Sequence, residues 1–403
     1  MSLIAVEEAL RRILDGVSPL AEESVPLTKA NGRALARDLA ALRQQPPFTA
    51  SAMDGYAVRA ADAATAGAEL SVIGDSVAGR GFDRPIAAGE AVRIFTGAPL
   101  PEGSNSILIQ ENARRDGDRV TVLEPPAEAQ FVRCAGLDFN IGDILLKAPA
   151  RIDYRAIALA ASMGYAEMPV VRRPIVAVVP TGDELVLPGE EPGPDQIFAS
   201  NQVGVCALAE TLGAEALDLG IARDNLPSLA EKIKTAIERK ADILVTLGGA
   251  SVGDHDLVQE ALGLEGMALD FWRIAMRPGK PLMFGSIGPM RVLGLPGNPV
   301  SSLVCAKLFL APLLLRHLGL PAEAATAVKT ARLGASLGAN DRRQDYIRAA
   351  LTRGDDGEPV ITPFALQDSS MLERFTNAGG LIVRPPDAEA LEAGAPVEYL
   401  PLP

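Results

Sequence analysis

The stretch Leu293 to Ser302 reads LGLPGNPVSS and sets four chain-breaking residues, Pro296, Gly297, Asn298 and Pro299, between an apolar run and the strongly apolar VSSLVCAKLFL. Val292 to Leu295 reads as the end of a buried strand. Asn298 followed by Pro299 reads as a helix start, because asparagine can cap free N–H groups and proline suits the first helical position, where its missing N–H has no partner to lose. The segment is therefore strand, glycine turn, helix N-terminus. Such a turn is common in its own right, and it also points unpaired N–H groups and the positive end of a helix dipole above the strand, where an anion such as phosphate is welcome.

Upstream, the same alternation repeats. IVAVV after Pro174 is an apolar strand, QVGVCALAETLG a helix introduced by Ser200 and Asn201, EALDLG a strand and SLAEKIKTAIERK a helix. ADILVTL, LDFWRI and RVLGL are further strands, with DLVQEAL a short helix and PVSSLVCAKLFLAPLLLRHL a long one. Strands alternating with helices predict a mostly parallel sheet covered on both faces, a three-layer α/β domain over 174–320. Ligands of such sheets bind beyond the carboxyl ends of the strands, so the loops there carry the chemistry.

Those loops are PTGDEL with Asp183 and Glu184, IARDN with Asp224, GGASVGDHD with Asp254 and Asp256, MRPGKP with Arg277 and Lys280, and GLPGNP. Five polar loops on one edge predict a site for a hard cation and an anion together: carboxylates suit magnesium, while Arg and Lys beside glycine turns suit phosphate. Asp256 reads equally as the cap of DLVQEAL. Gly248 and Gly249 let a ligand approach the backbone. Trp272 and Phe271 read as core.

Outside this domain the texture changes. Residues 3–15 form an amphipathic helical pattern and 151–164 another, expected to pack together as one discontinuous helical domain from 1–45 and 141–173. Between them, 46–140 carries short β-like runs separated by Gly, Asp and Pro, which predicts an inserted β domain. Within it, Asp54-Gly55 in PPFTASAMDGYAVR reads as a hairpin turn, and Thr96-Gly97 in RIFTGAPLPEG as a turn after a strand. The region 321–403 is β-rich.

Composition narrows the function. Among 403 residues, 38 basic against 51 acidic give a net charge of −13, which argues against nucleic acid or an anionic membrane as partner. Cys134, Cys206 and Cys305 lack CxxC spacing, and His255 and His317 are the only histidines, so zinc fingers, disulfide frameworks and histidine triads are all disfavoured. No apolar run reaches spanning length and the N-terminus is no signal peptide, so a cytoplasmic protein is expected. GGASVG does not fit GxGxxG, which disfavours a nicotinamide dehydrogenase.

Taken in order, SAMDGYAVR, RIFTGAPLPEG, PTGDEL, GGASVGD, AMRPGKP and GLPGNP resemble the motifs of the MoeA family, the molybdopterin molybdenumtransferases related to the gephyrin E domain. The resemblance implies a C-terminal β-barrel over 321–403 and an elongated homodimer. It also implies magnesium-dependent insertion of molybdate into adenylated molybdopterin with release of AMP. Carried over by motif, Asp54, Thr96, Glu184, Asp224 and Asp256 are implied in catalysis, the last three as candidate magnesium ligands. Substrate binding is implied for Gly248, Gly249, Ser251, Arg273, Arg277, Pro278, Lys280, Gly297, Asn298 and Ser301, and molybdate holding for Arg348 and Ser369. The α/β and C-terminal residues are expected to meet across the dimer. Molybdopterin adenylyltransferase and molybdoenzyme maturation factors are the protein partners implied. Two alternatives share these features: a molybdopterin adenylyltransferase, which has similar α/β loops, and a gephyrin-like interaction scaffold.

Overall fold

The computed structural model describes residues 3–249 and 257–403. Its centre is a six-stranded sheet ordered Glu215–Asp218, Ile175–Pro180, Ile243–Leu247, Met290–Leu295, Pro281–Ile287, Ala268–Arg273. The first four strands are parallel. Pro281–Ile287 runs antiparallel to both its neighbours. That strand, PLMFGSI, is absent from the sequence reading, because the proline and glycine of MRPGKP make the whole segment look like a loop. It returns the chain to the sheet, so the 274–280 loop still lies at the carboxyl edge.

Period-two alternation divides the sheet's side chains between two cores. Val176, Val178, Ile243, Val245, Leu293 and Leu295 enter one, with Val205 and Ala209 of the Ser200–Thr211 helix and Val304 and Phe309 of the long C-terminal helix. Ala177, Val179, Leu244 and Val292 enter the other, with Leu229 and Ile233 of Leu226–Glu238 and Ala261 and Leu262 of Leu257–Leu264. Every residue in these two groups is buried, and each large aliphatic side chain among them stabilises the fold by about 2 kcal/mol.

The helix Pro299–His317 has the length and apolarity to cross a membrane, contrary to the reading that no run does, but 78% of its most apolar 18-residue window is buried inside the protein. A π turn at Ala306–Leu310 interrupts it. The first helix, Val6–Leu14, departs from expectation too. Val6, Ala9 and Ile13 pack into the α/β core, and Ile4 bridges to Ile274. The second helix, Tyr154–Ser162, instead lies in a separate core with Leu35, Leu39 and Val170. Its companions are a four-stranded sheet of strands two to five residues long, too short to announce themselves by alternation.

Within 46–140 a six-stranded sheet forms from residues 55–122. At the C-terminus, Gln344–Arg353, Pro359–Pro363, Lys329–Leu333, Pro396–Pro401 and Gly380–Arg384 close into a five-stranded barrel, since the last pairs back with the first. The barrel is not free-standing: Met276–Arg277 of the α/β domain adds to it in parallel beside Gln344 and Asp345. Tyr346, Leu381 and Leu400 of the barrel share the α/β core.

Candidate functional site

Main-chain hydrogen bonds lace the carboxyl edge of the sheet. Thr181 N–H donates to the Leu247 carbonyl at 2.9 Å, Gly182 N–H to that of Ala222 at 3.2 Å and Gly248 N–H to that of Leu295 at 3.1 Å. These ties hold the loops around a cleft of about 610 Å³. Glu184, Asp224, Gly248, Gly249, Gly297 and Asn298, all singled out in the sequence, line it together.

The backbone explains why the carboxylates stand there. Gly182 has φ +149°, and a Cβ on it would run into the Glu184 carboxylate, which is folded back over the glycine. Asp224 is placed by its own N–H, which donates to Asp183 Oδ1 at 3.2 Å. Arg223 secures the same pair of loops by donating to the carbonyls of Asp183 and Leu185 at 3.1 and 3.2 Å. Gly248 has φ +99°, and a Cβ there would stand 2.9 Å from the Thr181 carbonyl oxygen. Glycine at 248 therefore serves loop packing, a role the expectation of ligand approach did not include.

Across the cleft, the GLPGNP turn differs from expectation. The Asn298 side chain makes no cap hydrogen bond. Instead the Val300 N–H at the helix start donates to the Ser369 carbonyl of the barrel at 3.0 Å. Ser370 lines the cleft beside it. The loop carrying both serines is held by Arg348, only 1% exposed, whose Nε donates to Gln367 Oε1 at 3.1 Å and Nη1 to the Asp368 carbonyl at 2.6 Å. The C-terminal domain thus reaches the cleft of its own chain, whereas the expectation had these parts meeting only across a dimer. Ser301 is buried just inside the helix start.

Other expected residues lie apart. Arg277 pairs with the buried Asp345 and lies 3.6 Å from Asp341, joining the α/β domain to the barrel. Pro278 follows it through a cis peptide bond. Lys280 lines a separate cleft with Arg342 and Arg343. Arg273 stacks over Trp272 at 5.3 Å. Asp54 and Thr96 find each other: Thr96 donates to Asp54 Oδ1 from its N–H at 2.7 Å and its hydroxyl at 2.8 Å. These bonds, the backbone one foremost, hold the Asp54 carboxyl below its usual range. No hairpin forms at Asp54-Gly55, since the flanking strands pair with other partners. Neither residue of the pair lines the α/β cleft of its own chain. Ser251 and Asp256 lie outside the described residues.

Several cleft residues escaped the sequence reading. Asn201 donates from Nδ2 to the Gly297 carbonyl at 2.6 Å, while its buried Oδ1 has no partner among the described residues. In sequence it passes as a helix-start residue. Ile197 and Phe198, 59% and 44% exposed, form an apolar rim. The Ile197 N–H donates to the Glu184 main-chain carbonyl at 2.8 Å, so the rim is tied to the backbone that carries the carboxylate. The signal was available in the sequence: two large apolar residues one position beyond the acidic PGEEPGPD loop.

A hard cation fits this donor set. No cluster of three metal-binding side chains occurs among the described residues. Magnesium, however, often takes one or two carboxylates and completes its shell with water and phosphate oxygens, and Glu184 and Asp224 face one cleft.

Comparison with known proteins covers the whole chain. Residues 4–164 match the MoeA N-terminal region (domain I and II), 177–316 a probable molybdopterin binding domain and 330–402 the MoeA C-terminal region (domain IV). A molybdopterin molybdenumtransferase of Haemophilus influenzae is 34% identical, over 99% of this chain and 98% of its own. One from Nostoc is 35% identical over 94% and 89%. The crystal structure of a molybdopterin biosynthesis MoeA protein from Pyrococcus horikoshii superposes with a TM-score of 0.86 at 32% identity, covering 99% of both chains.

Proposed function

This chain belongs to the MoeA family, enzymes of molybdenum cofactor biosynthesis, and we propose that its molybdenumtransferase chemistry takes place in the cleft between Glu184, Asp224 and the Gly297-Asn298 turn. The observation that carries this reading is the meeting of two carboxylates and two glycine turns, from loops far apart in sequence, around one opening. The adenylyltransferase and scaffold alternatives are not favoured, since relatives named as molybdenumtransferases match along the whole chain.

The substrate is adenylated molybdopterin, and molybdate is the second substrate. The phosphoanhydride lies along the Gly248 and Gly297 backbones, where a side chain would hold it off. The Ser370 hydroxyl, which donates to Asp368 Oδ1 at 2.6 Å, offers its oxygen as an acceptor, and the Ile197-Phe198 rim packs against a ring of the nucleotide or pterin. Glu184 and Asp224 would hold Mg2+, which when bound neutralises phosphate charge and lowers the barrier to breaking the anhydride. Attack by water on an anhydride phosphorus forms a new P–O bond as the bridging P–O bond breaks and AMP leaves. The two dithiolene sulfurs bond molybdenum in place of two molybdate oxygens, which depart as water with the thiol protons and two from solvent. Asp54 and Thr96, outside this cleft in their own chain, act at the cleft of a partner copy in a homodimer. The enzyme works in the cytoplasm.

The test is incubation with adenylated molybdopterin, Mg2+ and molybdate, following AMP. Wild-type protein should release AMP and Glu184→Ala should not. Equal release by both would remove the cleft from the chemistry.

A further inference from the structure

The sheet has a second cleft at its opposite edge, where the strands begin. It encloses about 640 Å³. It shares no lining residue with the first. Asp242 precedes the Ile243–Leu247 strand and Gly248 follows it, so the two clefts stand about 20 Å apart at the strand's ends.

The floor of this cleft is built and rigid. Asp242 accepts two hydrogen bonds from Arg172, at 2.8 and 2.7 Å, and one from the Ile175 N–H at 2.8 Å. The Asp242 carbonyl takes the Arg291 N–H at 2.9 Å. Arg172 and Asp242 therefore neutralise each other, and the carboxylate has little capacity left for a cationic ligand.

Two further cations line the cleft without such compensation. Arg291 gives Nη2 to a neutral acceptor, the Asp15 carbonyl, at 2.6 Å. Lys240 pairs with no carboxylate among the described residues, and its φ of +53° is an uncommon setting for a lysine. In a chain of net charge −13, two unneutralised cations beside an enclosed space mark a local anion field. The remaining wall includes Ile237, Ile287 and Met290.

We propose that this cleft binds a phosphate-class dianion, its charge between Lys240 and Arg291 and any organic body against the apolar wall. The dianion matches the two uncompensated charges. Both inorganic phosphate and a small phosphomonoester carry this chemistry, and the apolar wall distinguishes between them.

His317 supplies an internal reporter. It is 8% exposed in the same wall, and neither ring nitrogen has a hydrogen-bond partner among the described residues, although the Ser18 backbone is near enough to favour a ring proton. Burial is the main cause that lowers its pKa, and Asp242, Arg291 and Arg172 act on it through space. A bound anion would favour the imidazolium and raise that pKa.

The experiment is NMR of the full-length protein with histidine labelled at Cε1. The chain has two histidines, so His317→Gln assigns both signals. At constant ionic strength set with chloride, inorganic phosphate or phenyl phosphate should raise the His317 pKa by about half a pH unit or more. Saturation by phenyl phosphate at roughly tenfold lower concentration assigns a phosphomonoester, and equal concentrations assign free phosphate. Lys240→Asn, which tolerates the left-handed backbone, should abolish the response while leaving the His255 signal as in wild type. No response to either anion, or an undiminished one in Lys240→Asn, overturns the proposal.

Discussion

The Val300 N–H donates to the Ser369 carbonyl at 3.0 Å, so the first turn of the long α/β helix is completed by the barrel of the same chain. With Ser370 in the cleft and Arg348 holding the loop behind it, the barrel is part of the cleft's wall. Asp54 and Thr96 stand outside that wall.

This difference predicts opposite complementation results. An equal mixture of Glu184→Ala and Arg348→Ala subunits should stay inactive after exchange, because every cleft carries one defect. On the proposed homodimer, mixing Glu184→Ala with Asp54→Ala should restore about a quarter of wild-type AMP release, since about half of such dimers would be mixed and each of those would have one intact composite site. Recovery in the first mixture would show that Arg348 serves the partner's cleft.

Gly182→Ala is predicted to cut AMP release at least about tenfold and to destabilise by about 1–3 kcal/mol through backbone strain. The new methyl group would also displace the Glu184 carboxylate. In the Glu184→Ala background the same change should cost less, because the clash is gone. Equal costs in urea titrations of both backgrounds would rule out the contact.

The Thr96 bonds predict how Asp54 responds to acid. Its folded pKa lies below the unfolded one, so its contribution to stability is present above the usual aspartate pKa and fades as pH falls through the folded value. Thr96→Val removes the hydroxyl but keeps the stronger backbone donor, so the pKa should rise only part of the way. Carboxyl NMR, with Asp54→Asn to assign the signal, should show this partial rise.

Arg277 and Lys280 are predicted to separate. Arg277→Gln removes the charge facing the buried Asp345, whose Oδ1 already lacks a partner among the described residues, and should cost about 1–3 kcal/mol of stability. Lys280→Gln should leave the melting temperature unchanged and, because Lys280 lines a separate cleft, weaken nucleotide binding only through its long-range field, more at low salt than at high salt. Calorimetry in two salt concentrations checks both.

Phe198→Ala should raise KM for adenylated molybdopterin by roughly tenfold, with kcat little changed, as expected when an apolar ring contact is lost from ground state and transition state alike. A fall in kcat alone would show that the rim positions Glu184 instead of holding a ring.

Much of this was legible in the sequence. Strands with strong alternation, such as IVAVV and ILVTL, and breaker-rich loops such as PTGDEL and GLPGNP, follow from local rules, and the carboxyl-edge rule gathered Glu184, Asp224, Gly248 and Gly297. What stayed hidden depends on distant partners. Arg277 sits in the same short loop as Lys280, and only the fold shows that Asp345 claims it. Asn298 has the right chemistry for a cap, yet a carbonyl 69 positions further along the chain reaches the Val300 N–H. The helix at Val6–Leu14 shows that amphipathic pattern announces a buried face without naming what buries it.

The two-residue strand Met276–Arg277 bears on how such a chain could be recombined in evolution. Because it belongs by sequence to the α/β domain and by hydrogen bonding to the barrel, a genetic junction placed near residue 320 would inherit a barrel whose Gln344–Arg353 strand has lost its outer neighbour. It would also strip Tyr346, Leu381 and Leu400 of their cover and leave Asp345 facing no cation. A functional swap of the C-terminal domain must therefore carry the 276–277 segment and its arginine with it, or arrive already matched to them.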